Sequence, residues 1–108
     1  MLIVLNSDHM GRGDAELGKK LIRSCLRMFL NSRELEVIVC YNAGVKLLTK
    51  DSPVAEELRM LQEKGVGLLV CGTCVDFYKI ADDLLVDRQS NMEEIVNALH
   101  TADKVVTL

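Results

Sequence analysis

Tryptophan is absent from this chain, and only two phenylalanines and two tyrosines occur among its 108 residues. A stacking platform for single-stranded nucleic acid needs more aromatic surface than that. Basic charge is also scarce. Thirteen Lys and Arg stand against sixteen Asp and Glu, a net charge of -3, so no positive field draws in a phosphate backbone. No apolar run approaches the roughly 20 residues that cross a bilayer. The opening Met1-Leu2-Ile3-Val4-Leu5 passes straight into Asn6-Ser7-Asp8 without the basic n-region of a secretion signal. Neither nucleic acid nor membrane is expected as a partner, and a cytoplasmic location is expected. Low-complexity tracts, internal repeats and linkers are missing too, so residues 1–108 are expected to form one domain. That length buries a core without staples.

What is present is an alternation of short aliphatic runs and amphipathic stretches. Residues 2–5 form a continuous apolar run of the kind buried on both faces of a parallel sheet. A polar loop with Gly11 and Gly13 follows, and Asp14 is placed to cap a helix. Leu17, Leu21, Ile22, Cys25, Leu26, Phe29 and Leu30 then recur at three- and four-residue steps, the inner stripe of that helix. Residues 37–41 predict a second strand, and residues 45–48 a short helical turn. Ser52 and Pro53 read as the start of a helix that Gly65 closes. Residues 66–70 predict a third strand, and Leu84-Leu85-Val86 a minimal fourth. Thr73 with Asp76 and Ser90 with Glu93 fit capping boxes, opening helices from Cys74 and through Leu99. Residues 104–108 predict a last strand. The pattern βαβαβαβαβ argues for a parallel sheet between helices. Strand order is not readable from it.

Four cysteines occur: Cys25, Cys40, Cys71 and Cys74. In a reducing compartment they are expected as free thiols. Cys25 falls on the helix stripe and Cys40 within a strand, so both read as small core hydrophobes. Cys71-Gly72-Thr73-Cys74 is different, because it sits at the carboxyl end of a strand, where open α/β sheets hold their ligands. Four readings compete for it. A zinc half-site requires two more ligands, and His9, His100, Cys25 and Cys40 include no second close pair. A thioredoxin-like dithiol would follow the first buried strand and face a proline, whereas the single proline, Pro53, is accounted for as a helix start. The remaining two are a nucleophilic or sulfur-carrying cysteine with a second thiol beside it, and inert core. A thiol in the first turn of a helix gains from the unpaired amides there, which favours Cys74, while Asp76 acts in the opposite sense.

The loop after the first strand holds Asn6, Ser7, Asp8, His9 and Arg12, a polar set of the kind that lines sites on such loops. His9 is positioned to act as a proton shuttle or thiolate partner if that loop folds over Cys71. Gly11-Arg12-Gly13 does not make a dinucleotide fingerprint, since Glu16 stands where the third glycine belongs. His100, near a helix end, reads as a surface residue complementing the dipole.

The sequences around residues 7–18 (Ser7-Asp8-His9-Met10-Gly11-Arg12-Gly13), 41–47 (Tyr41-Asn42-Ala43-Gly44), 71–78 (Cys71-Gly72-Thr73-Cys74-Val75-Asp76-Phe77-Tyr78) and 91–96 together resemble the DsrE/DsrF-like family. More narrowly they resemble its YedF-type, selenium-metabolism branch. The resemblance implies a three-layer α/β/α domain with a five-stranded parallel sheet, related to flavodoxin-like folds. It implies a sulfur-relay or sulfurtransferase-like role, with sulfur or selenium carried as a persulfide on a strand-tip cysteine. Carried over, that cysteine is Cys71, and Cys74 is an additional thiol that resolves or assists. Asn6, Ser7, Asp8, His9, Arg12, Asn42, Gly44, Gly72 and Thr73 would shape the pocket. No metal or organic cofactor is implied. Partners would be sulfur-donor and acceptor proteins, including a TusA-like carrier, and a homo-oligomer is expected. YedF-type relatives carry a TusA-like domain ahead of this one, whereas this chain begins at the first strand. The rival readings are an oligomeric binding or regulatory domain with structural cysteines, and a metal-binding module.

Overall fold

A computed structural model describes residues 1–108. Strand β1 (Leu2–Leu5) is followed by helix α1 (Ala15–Phe29) and strand β2 (Val37–Cys40). A 3-10 helix (Asn42–Leu48), helix α2 (Ala55–Glu63) and strand β3 (Gly67–Val70) come next. Helix α3 (Gly72–Tyr78), a 3-10 turn (Ala81–Asp83), helix α4 (Met92–Thr101) and strand β4 (Val105–Thr107) complete the chain. The sheet is wholly parallel, in the order β3-β2-β1-β4. Central β1 is buried at all four positions, as its uninterrupted aliphatic run requires.

The chain winds outward from β1 to β3 and then returns past it to place β4 on the far side. Right-handed crossovers therefore send α1 and α2 to one face and α4 to the other. On the first face α1 and α2 meet through Glu57, whose Oε2 accepts from Arg27 Nη2 at 2.9 Å and from Arg23 Nε at 3.4 Å. Its side chain is nearly inaccessible, at 3 %. Burial pushes the Glu57 carboxyl up, but Arg27, its own backbone amide and Arg23 outweigh that and hold it below its ordinary value. Oε1 of the same carboxylate has no partner. The core between the layers is aliphatic, with Ile3, Leu5, Ile22, Leu26, Ile38, Leu58 and Ile95 fully enclosed.

Local chemistry sets the element ends. Asp14 caps α1, accepting from the Leu17 amide at 2.9 Å. After α2, Gly65 at φ +99° allows a Schellman closure, in which Gly65 N–H donates to Gln62 and Val66 N–H to Leu61.

Four expectations are corrected. The sheet has four strands and not five. Residues 84–86 do not join it, because Thr49 bridges Leu84 in antiparallel fashion and the Leu85 amide donates to the Leu48 carbonyl. That run is three apolar residues between acidic flanks. It packs on the core as a partly buried loop. The place beside β3 is taken by Ser90 alone, in a one-residue parallel bridge to Cys71. Because Ser90 is committed there, the helix α4 is capped one residue later, by Asn91 accepting from the Glu94 amide. The Thr73–Asp76 capping box does not form. Cys71 N–H extends the ladder by donating to the Cys40 carbonyl, and α3 begins immediately after it, two residues before the expected start. Finally, Pro53 lies in a turn ahead of α2, where Ser52 Oγ accepts from the Val54 amide, and the helix itself starts at Ala55.

Candidate functional site

Parallel strands end together, so the loops after β1, β2 and β3 converge on one rim of the sheet. Cys71 occupies the N-cap position of α3 with extended backbone and makes no side-chain cap bond. It is 3 % exposed, within the hydrophobic core. Cys74, one turn into α3, is partly exposed. It lines an open hollow of about 440 Å³ together with Asn42, Thr73, Phe77 and Tyr78.

The environment of Cys74 Sγ is built from two segments more than thirty residues apart. Asn42 takes a left-handed backbone, φ +49°, which asparagine tolerates better than most residues. Its amide donates to Cys74 Sγ at 3.1 Å. The Asn42 side chain accepts from the Tyr78 hydroxyl at 3.0 Å, tying the β2 loop to α3 a second time. The Tyr78 ring carries Lys46 Nζ at 4.4 Å from its centroid and Phe77 edge-on at 5.2 Å. Phe77 is 78 % exposed and forms the outer lip of the hollow. Gly44 makes the arrangement possible, since a Cβ there would run into the Leu5 backbone carbonyl. The loop bearing Asn42 therefore rests directly on the end of β1.

Burial raises the pKa of Cys74 above its ordinary value, and the neighbouring Cys71 thiol raises it further, while the Asn42 amide acts in the opposite sense. The advantage expected from the start of a helix is not what dominates. Cys40 is fully enclosed and its thiol is pushed up to about 12 by desolvation. Cys25 is partly exposed on α1, also raised by burial. Both lie away from the hollow.

The loop after β1 does not cover Cys71. Asn6, Ser7, His9 and Arg12 line a separate hollow of about 420 Å³, with Gly11, Thr107 and Leu108, where β1 meets β4. His9 Nδ1 lies 2.7 Å from Asp8 Oδ1 and 3.4 Å from Ser7 Oγ. The Asp8 carboxylate puts the ring proton on Nδ1, and that hydrogen bond holds Asp8 below its ordinary pKa. Gly18 lets the loop lie flat on α1, since a Cβ there would meet His9 Cβ at 2.8 Å, and the Met10 amide donates to its carbonyl. The structure thus brings Cys71, Cys74, Asn42, Gly44, Gly72 and Thr73 together and sets Asn6, Ser7, His9 and Arg12 apart from them. Asp8 leans between the groups, feeling the charges of Lys46 and Lys19.

Sequence reasoning passed over Tyr78, Phe77 and Lys46. The first two stand four and three residues after Cys74, on its side of the helix, so helical spacing pointed to them. Lys46 had no such signal, because its place over Tyr78 depends on the 3-10 course of the Asn42–Leu48 segment. No three His, Cys, Asp or Glu side chains cluster closely enough to hold a metal ion. No helix is long and apolar enough to cross a membrane.

The fold is a small parallel α/β sheet domain with two free cysteines at the tip of one strand and the start of the helix that follows it. The chain belongs to the DsrE/DsrF-like family, whose model matches residues 1–108. Solved structures share the fold, among them two that match nearly the whole chain. The protein of unknown function MTH1491 from Methanobacterium thermoautotrophicum is 21 % identical, with a TM-score of 0.69 over 99 % of this chain and 96 % of that one. The ychN protein from E. coli is 20 % identical, with a TM-score of 0.68 over 100 % of this chain and 99 % of its own. No curated protein matches the chain.

Proposed function

We propose that this chain is a sulfur-relay domain that receives sulfane sulfur, or selenium, on Cys74 and holds it as a persulfide in the hollow beside Asn42 and Tyr78. The observation that carries this reading is the contrast between the two thiols. Cys74 opens on a hollow large enough for a donor group, whereas Cys71 is 3 % exposed behind it. An incoming sulfur atom must reach a partly exposed thiol. The order inferred from family resemblance, with Cys71 as carrier, is therefore reversed in this proposal. Membership in the DsrE/DsrF-like family supports the chemistry, since sulfur relay is associated with it. The YedF-type relationship and its selenium link belong to the same proposal.

In this reading the Asn42 amide steadies the developing negative charge on sulfur, with Sγ already 3.1 Å away. Thr73 and the ring of Phe77 bound the space the terminal sulfur would occupy. No organic cofactor or metal takes part. Partners are a donor protein and an acceptor protein, a TusA-like carrier among them, and Phe77 is the apolar contact they would meet first. Leu17, Leu21 and Met28 form an exposed apolar row on α1, which fits association into a homo-oligomer.

The test is intact-mass spectrometry of the reduced protein after incubation with a cysteine desulfurase and cysteine. One sulfur atom should be gained by wild type and by Cys71→Ala, and by neither Cys74→Ser nor Cys74→Ala. Absence of the gain in both wild type and Cys71→Ala overturns the reading.

One observation favours a second reading, a binding or regulatory domain whose thiols are structural. Burial and Cys71 both disfavour the Cys74 thiolate. Alkylation of the native protein separates the two, because structural thiols label only after denaturation.

A further inference from the structure

A carrier needs one thiol, yet two stand one helical turn apart here. Cys71 is a free, nearly inaccessible thiol, and it lies close enough to Cys74 to perturb its ionisation. Cys71 stands at the N-cap of α3 and Cys74 one turn on. A separation of one helical turn falls within the roughly 4.4–6.8 Å between Cα atoms that a disulfide spans. Cys74 lines the open hollow, where a loaded sulfur atom has room, while Cys71, at the N-cap of the same helix, is not part of its lining.

We propose that Cys71 is an internal resolving thiol, so that sulfur bound at Cys74 is released as hydrosulfide with formation of a Cys71–Cys74 disulfide. This rests on the sulfur-relay reading of the same site. The step is balanced. Cys71 Sγ attacks Cys74 Sγ, a sulfur–sulfur bond forms between the two cysteines, and the bond from Cys74 Sγ to the terminal sulfur breaks. The terminal sulfur, carried as the persulfide anion, leaves with the electron pair of that bond and takes the proton from Cys71, departing as hydrosulfide. It is reduced, and the Cys71 sulfur is oxidised to the disulfide level. A second cycle requires an external dithiol reductant, which restores both thiols and is itself converted to a disulfide.

The burial of Cys71 has a purpose in this scheme. A resolving thiol shielded from solvent does not compete for the incoming donor sulfur and does not form mixed disulfides with small thiols. It meets only the one sulfur that is held against it. Gly72 sits between the two cysteines against Gln89 and the Ser90 carbonyl, so the turn carrying them is fixed from the outer side. The product is then free sulfide, delivered only while dithiol reductant is supplied.

The experiment loads reduced protein with a cysteine desulfurase and cysteine, removes both, and follows intact mass and free sulfide in the absence of reductant. Wild type should lose its added sulfur, release one sulfide per chain, and end two hydrogens lighter than the dithiol. Cys71→Ala should keep its added sulfur, with loss slowed by at least about tenfold. Cys71→Ser, which retains a polar group of similar size, serves as the second variant should the smaller side chain loosen the core. Wild type that holds its sulfur as long as the variants overturns the proposal, and so does a disulfide that appears without sulfide. Failure of Cys71→Ala and wild type alike to take up sulfur overturns the relay reading itself.

Discussion

The backbone amide of Asn42 and the sulfur of Cys74 stand 3.1 Å apart across a separation of 32 residues. One hydrogen bond therefore joins the loop leaving β2 to the helix leaving β3, and it ends on the partly exposed thiol at that rim. The other influences on Cys74, burial and Cys71, act against ionisation. The thiol is held in a balance that removal of Cys71 should tip toward the thiolate, while the opposing backbone amide of Asn42 stays in place.

The rate of Cys74 alkylation should accordingly rise with pH about tenfold per unit from neutrality and level off only above the ordinary cysteine range. The sign follows from the shift. A raised pKa leaves less thiolate at neutral pH than a free cysteine has, so reactivity appears late in the titration. Cys71→Ala removes one of the two raising influences and should move the profile to lower pH. Iodoacetamide kinetics with peptide mapping read both. A profile unmoved by Cys71→Ala contradicts the coupling of the two thiols.

Gly44 should tolerate no side chain. A Cβ there collides with the Leu5 carbonyl, and both partners are backbone, so relief requires moving either β1 or the Asn42 loop. Gly44→Ala should lower unfolding free energy by about 3 kcal/mol or more, toward the upper end for single substitutions. Chemical denaturation measures it. A loss below about 1 kcal/mol would mean that the loop is less tightly seated than described.

Glu57 should make stability depend on acid pH. Its folded pKa is depressed, so its contribution is present above the unfolded value and is lost as pH falls through the folded one. Glu57→Met should remove that part of the pH dependence below the ordinary carboxyl range. At neutral pH it should cost little, since an apolar residue of similar length replaces a buried carboxylate with one oxygen unpaired. Glu57→Ala should cost about 2 kcal/mol through lost packing, with Arg23 and Arg27 half exposed and free to turn to water. Thermal melts between acid and neutral pH distinguish the variants.

Lys79 ends α3 in the left-handed region at φ +56°, where its amide and that of Ile80 close a Schellman motif onto Asp76 and Val75. A residue with a Cβ is strained there by about 1 kcal/mol. Lys79→Gly should raise stability by up to that amount, less the entropy it adds to the unfolded chain. Unchanged or lower stability in thermal melts would show that the Lys79 side chain offsets its own strain.

Much of the fold could be read from the order of residues because its signals are local. β1 is an unbroken aliphatic run, Asp14 caps α1 in the expected way, and Gly65 ends α2 as a left-handed residue. The errors fall where tertiary contacts overrode local preference. Residues 84–86 have the composition of a strand, but the end of the Asn42–Leu48 segment captures them before they reach the sheet. Thr73 and Asp76 have the right spacing for a cap, yet the β3 ladder delivers Cys71 to that position first. In sequence the apolar row of α1 reads as a single stripe. In the structure Ile22 and Leu26 face the core, whereas Leu17 and Leu21 face outward, because a helix on one side of a four-stranded sheet has only a narrow strip to bury. At the site, the paired cysteines and the neighbouring asparagine and glycines were legible as residues. Which cysteine reaches solvent was not, since that depends on where α3 begins relative to β3.

The shortness of α3 carries a last consequence. It spans seven residues, ends in a strained left-handed lysine, and shares its N-cap with the sheet ladder. Such an element can open locally at a free-energy cost below that of unfolding the whole chain. Cys71 is its N-cap and is buried, so the slow labelling of Cys71 in the native state would be a clock for that opening, much as amide exchange is for a protected N–H. The ratio of the two cysteine labelling rates then measures how often the turn between them undoes itself, a property on which no static distance at this rim bears.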